Sequence, residues 1–194
     1  MTNTLDSLLG EIRACRHCAE HLPLGPRPVA VANPAARLLI IGQAPGTRVH
    51  ETGIPWNDKS GDRLREWLDI DKPTFYDPEK VAIMPMGFCY PGVLASSGDA
   101  PPRVECAPLW HERLRAHLPN VALTLLAGMY AQAYYLGKAR KKTLTATVET
   151  WRDHGPSVMP LPHPSWRSGN LLNKNPWFET GLLPDLRARV RNLI

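Results

Sequence analysis

Long apolar runs are missing from this chain. No stretch of about 18 apolar residues, the least that crosses a bilayer as a helix, occurs in its 194 residues. The opening MTNTLDSLLGEIRACRHC also lacks the basic, apolar, small-residue order of a secretory leader. These absences set the expectation of a cytoplasmic protein without a membrane partner. Cysteine is scarce: four residues exclude a disulfide-stapled scaffold, and a reducing compartment keeps them as thiols. Charge of one sign barely dominates, with 23 Lys and Arg against 18 Asp and Glu, a formal +5. That balance permits a nucleic-acid partner without requiring one. No internal repeat or low-complexity block is present, so the 43% of apolar residues are expected to build one core, a single domain over 1–194.

Proline is abundant instead. Its 20 residues punctuate the chain at junctions such as Pro23–Pro28, Pro101–Pro102 and Pro160–Pro164 rather than filling the segments between them. Between the junctions stand apolar runs of strand length: RLLIIG (37–42), VAIMPM (81–86), VALTLLAG (121–128) and SVMPLP (157–162). Their apolar residues run on without alternating, which predicts strands buried on both faces.

Helical spacing falls between these runs. Ser60 reads as an N-cap before Leu64, Trp67 and Leu68 at i, i+3, i+4, and Leu109, Leu114 and Leu118 follow at a looser spacing. Met129–Leu136, Leu144–Trp151 and Phe178–Leu193 are three more helical candidates. Strands alternating with helices predict an α/β fold: a three-layer sandwich with a four-stranded parallel sheet flanked by helices. A proline-rich, partly helical N-terminal arm over 1–36 precedes it.

In such a sheet a ligand binds beyond the carboxyl ends of the strands. The first strand runs into Gly42-Gln43-Ala44-Pro45-Gly46, where the glycines let the backbone turn and approach a ligand closely. Trp56 follows between Pro55 and Asn57, and two readings stand for it, a lid on the core or a surface facing a ligand. The fourth strand ends in Leu161-Pro162-His163-Pro164-Ser165-Trp166-Arg167, which brings a histidine flanked by prolines to the same edge.

With these residues in view, the chain resembles the uracil-DNA glycosylase superfamily, and most of all its iron-sulfur branch, family 4. That branch carries a Gly-Glu-Ala-Pro-Gly first motif, a Gly-x-Pro-Phe segment and a His-Pro-Ser-Pro second motif. Here they read Gly42–Gly46, Gly53-Ile54-Pro55-Trp56 and His163-Pro164-Ser165-Trp166. Cys15 and Cys18 as C-x-x-C, then Cys89 and Cys106, stand close to the spacing by which the branch binds its cluster. The resemblance implies a monofunctional DNA glycosylase that flips uracil or a related damaged base out of DNA, hydrolyses its N-glycosidic bond and so initiates base excision repair. It further implies that Trp56 stacks on the base and that His163 hydrogen-bonds a base carbonyl oxygen. Gln43 orients water, and Gly42, Ala44, Pro45, Gly46 and Ser165 bind the substrate. Trp166 and Arg167 contact DNA, and the four cysteines hold a [4Fe-4S] cluster. No obligate protein partner is expected.

Two positions depart from the branch. Gln43 replaces its Glu and cannot offset a cation, with His50, Glu51 and Asp58 nearby as substitutes. Pro85 stands where the branch places an Asn to read the uracil edge. A damage-binding protein of decayed activity and a hydrolase of modified nucleosides or nucleotides remain as alternatives. So do a zinc site or plain core packing for the cysteines. Basic residues at Lys138, Arg140, Lys141 and Lys142 suit phosphate contacts or a solvated turn, and Trp166 or Leu171, with the following NKNPW segment, is a candidate wedge.

Overall fold

A computed structural model describes residues 4–94 and 98–194. Four parallel strands, β1 (Leu38–Ile41), β2 (Val81–Ile83), β3 (Leu123–Ala127) and β4 (Val158–Leu161), lie in the order β2-β1-β3-β4. Leu38 is aligned with both Val81 and Leu123, and Leu125 with Met159. Successive strand residues enter opposite cores, which is why the apolar runs do not alternate. Leu38 and Ile40 pack with α3 (Lys59–Leu68), α4 (Lys72–Tyr76), α7 (Leu144–Glu149) and α9 (Leu183–Arg191). Leu39 and Ile41 pack with α1 (Leu5–Ala14), α5 (Cys106–Arg115) and α6 (Met129–Leu136). The expected three-layer α/β sandwich is what forms. Among the described residues no helix is long and apolar enough to cross a membrane.

Details of the helices depart from the sequence reading. Asp58, not Ser60, caps α3, because its Oδ1 accepts the Gly61 amide at 2.8 Å. The Leu144 helix stops at Glu149 and passes into a 3₁₀ turn over Trp151–His154. The last helix opens as a π turn at Phe178–Leu182. Leu109 points outward, whereas Leu114 and Leu118 are buried. Two short helices had no periodic signal: α4, and α2 (Thr47–Thr52), which starts at the end of the first motif. A further short helix, α8 (Gly169–Lys174), follows the second motif. Trp177 of NKNPW stacks on Trp151 against the core.

The N-terminal arm is part of the packing. Leu8 and Ile12 of α1 are buried in the second core, and Val31 forms an antiparallel bridge with Ile83 along the outer edge of β2. At the opposite edge, Pro160 of β4 lies beside Leu126.

His111 of α5 closes the sheet beneath Pro85. Its Nε2 lies 3.1 Å from the Pro85 carbonyl and its Nδ1 2.7 Å from the Tyr135 hydroxyl. Since a carbonyl only accepts, Nε2 carries the proton and the tyrosine donates to Nδ1. Burial pushes the imidazole down to about 4 from 6.5. The unfolded chain therefore takes up a proton first on acidification, and the stability held by neutral His111 is complete above about pH 6.5 and lost as pH falls towards 4. Chemical denaturation across that window is expected to show a loss on the order of 2 kcal/mol that His111→Gln largely removes. An unchanged acid limb in the variant would assign the loss elsewhere.

Candidate active site

The first motif leaves β1 and wraps a cavity at the carboxyl edge of the sheet. Gly42 is there for room: a Cβ on it would lie 2.7 Å from Trp56 Cζ2. Gly46 has ordinary extended backbone and space for a side chain, so its conformational freedom is not what the fold uses. Ala44 and Pro45 complete this wall.

Trp56 forms the facing wall. Its backbone is left-handed, with φ 55°, an uncommon state for a bulky residue that its surroundings must impose. Arg65 Nη1 and the Tyr76 hydroxyl both donate to its carbonyl at 3.3 Å. A Cβ on Gly61 would collide with that same oxygen. The indole lines the cavity and also packs against the first core. One ring thus borders both the cavity and the core.

His163 enters from the end of β4, and its ring centroid lies 5.6 Å from that of Trp56 at 32°. Ser168 Oγ donates to the His163 carbonyl, and Arg63 Nη1 donates to the Ser165 carbonyl at 2.7 Å. Burial holds the His163 imidazole below its ordinary pKa, opposed by the charges of Asp58 and Asp99. A neutral ring at pH 7 follows, able to donate one hydrogen bond.

The polar rim differs from what the motif alone suggests. Gln43 Nε2 donates to the Ala100 carbonyl at 3.1 Å, which leaves Oε1 as the amide's acceptor. A carboxylate at position 43 would instead face that carbonyl. Asp58 and Asp99 both line the cavity, whereas Glu51 is exposed and His50 packs beside Tyr90. Asp99 was missed by sequence reasoning, since it lies in the segment between Cys89 and Cys106. Pro85 lines the cavity too, with its carbonyl taken by His111, and the next two amides bond to the Gly42 and Gln43 carbonyls. Among the described residues that strand end lines the cavity with the apolar side chains of Ile83 and Pro85.

An adjoining groove shares Gln43, Asp99 and His163 with the cavity and continues past Ser165 and Leu171. Ser165 thus faces the groove. Trp166 is 78% exposed on its wall, with the Arg167 guanidinium 5.4 Å from the ring centre. Leu144 also lines it, which puts the exposed Lys138–Lys142 loop, just before α7, at its border; Lys141 is 3.7 Å from Asp153.

Cys15, Cys18, Cys89 and Cys106 line a second cavity, walled by Leu22, Phe88 and Trp110, that shares no lining residue with the first. Cys106 Sγ accepts the Phe88 amide at 3.3 Å. Burial pushes the Cys89 thiol up to about 11 and Cys106 to about 12. Among the described residues no three His, Cys, Asp or Glu side chains are placed to hold a metal ion.

Residues 29–187, which include every residue of the Trp56–His163 cavity and leave out Cys15 and Cys18, match the family model of the Uracil DNA glycosylase superfamily.

Proposed function

Because the chain belongs to the uracil-DNA glycosylase superfamily, we propose that it releases uracil or a related damaged base from DNA by hydrolysis of the N-glycosidic bond. The observation that carries this reading is the pair of adjacent rings, Trp56 and His163, packed with centroids 5.6 Å apart and both lining one cavity at the strand ends. The flipped base stacks on Trp56, and neutral His163 donates to a base carbonyl oxygen. As the bond to C1′ breaks, its electron pair moves onto the base and strengthens that hydrogen bond. Water bonds to C1′ on the opposite side, its proton passes to Asp58, Asp99 or solvent, and the released base takes up a proton. The two carboxylates supply the negative charge that Gln43 lacks, and Gln43 Oε1 accepts from the water. The groove with Trp166, Arg167 and the lysine loop carries the DNA backbone, through contacts that position without reading sequence.

A second reading, damage binding without release, is favoured by Gln43 itself. Single-turnover assays on oligonucleotides carrying uracil and other damaged bases separate the two. Base release supports the glycosylase, tight binding without release supports the sensor, and absence of DNA affinity with cleavage of free nucleosides overturns both.

For the cysteine cavity we propose the [4Fe-4S] cluster of the family 4 branch. Four thiols around one mainly apolar chamber fit it. A zinc site would use the same four thiols, and the choice of the cluster over zinc rests on the resemblance to the branch. The cluster would tie the arm to the 89–106 segment as a structural cross-link. Anaerobically purified protein is expected to be brown and to contain iron and sulfide, both lost in Cys89→Ala. Stoichiometric zinc without iron would replace the cluster by a zinc site.

A further inference from the structure

Helix α3 touches both walls of the base cavity. Its first turn seats the Trp56 carbonyl against Gly61, and Arg65 clamps the same oxygen from the next turn. Between them Arg63 reaches across 102 residues of sequence to the Ser165 carbonyl, two residues beyond His163. Within the second-motif loop, Ser168 N donates to the Ser165 carbonyl and Ser168 Oγ to the His163 carbonyl, and the Arg167 side chain lies beside Gly98. A guanidinium donating to a carbonyl at 2.7 Å is a charge-assisted bond, among the stronger ones a side chain makes.

We infer that Arg63 is a positioning residue: by holding the second-motif loop on α3 it sets the spacing of His163 from Trp56. The inference rests on the glycosylase reading of that ring pair. One helix then acts as a ruler between the two walls, with Gly61 and Arg65 fixing one end and Arg63 the other. An error of about 1 Å in such a spacing can cost roughly a hundredfold in rate without touching the reacting atoms. Arg63 makes no contact with the base in this arrangement, so its loss is felt in the chemical step and not in capture of DNA.

The test compares Arg63→Ala, Arg63→Gln and Arg63→Lys with wild type in single-turnover base release, DNA binding and thermal melting. For Arg63→Ala the expected result is a rate at saturating enzyme lowered about tenfold or more, with DNA affinity within about threefold of wild type. Added guanidinium ion should restore part of the rate at unchanged melting temperature, and Arg63→Lys should lie between. Arg63→Gln keeps a donor of shorter reach and serves if Arg63→Ala does not fold. A wild-type rate in both neutral variants overturns the inference, as does a loss that guanidinium does not rescue. Weakened DNA binding with a normal saturated rate would instead make Arg63 a phosphate contact and also overturns it. If wild type itself releases no base, the glycosylase reading fails on its own, and the clamp is then read from the His163 ring resonances. Resonances unchanged between wild type and Arg63→Ala would overturn it there.

Discussion

His163→Asn is expected to slow base release by about a hundredfold at saturating enzyme, the scale for loss of a donor aimed at developing charge in a dry site. DNA affinity should hardly move, since the hydrogen bond gains its strength only as the base takes up charge. The asparagine amide stands near the Nδ1 position but falls short of Nε2 at the tip of the ring, and the loop that carries it is held through main-chain carbonyls that the substitution leaves intact. Melting temperature should therefore hold or rise slightly, because an imidazole kept neutral by burial leaves with its cost of burial. Full excision by His163→Asn on the best substrate would remove this residue from the chemistry and turn the search to Asp58 and Asp99.

Gly61→Ala is expected to cost about 3 kcal/mol of stability or more, at or above the upper end for overpacked sites. A methyl group there meets the Trp56 carbonyl oxygen, a backbone atom that no rotamer can move aside. That oxygen is also held by Arg65 and Tyr76, so relief means breaking the clamp or lifting the first turn of α3. Either route moves the indole. Urea denaturation should show the loss, and binding of a base analogue should weaken with it. An Ala variant as stable as wild type, with Trp56 in place, would mean that the first turn of α3 has slack not visible in its packing.

The fold was legible because burial on both faces leaves a mark in sequence: four uninterrupted apolar runs became the four strands. The two walls of the cavity were legible for another reason. Trp56 and His163 each stand beside prolines at the end of a strand or its following loop, where a parallel sheet gathers its ligands. What stayed hidden depends on contacts across the chain. Asp99 arrives from the segment between Cys89 and Cys106, which carries neither a strand nor a helix pattern. Nothing in its local pattern sets Arg63 apart from any other charge on a helix. Gly61 is required by a carbonyl five residues earlier, a demand that no local pattern expresses. The Asp58 cap was missed because Ser60, two residues on, has an equally good capping side chain; only the path of the chain decides between them.

The two rims of the sheet are closed by different means, and together they govern how this protein meets copies of itself. At β2 the bridge from Val31 occupies the Ile83 amide and carbonyl. At β4 the proline offers no amide at position 160. Neither rim presents an open ladder to a passing strand, so crowding alone gives little opening for edge-to-edge aggregation. The weaker guard is the arm, because it is a segment that can lift away, whereas the proline is built into the strand it protects. Loss of the arm's seat would thus expose a templating edge on one side of the molecule, and self-association under mild stress should begin at β2.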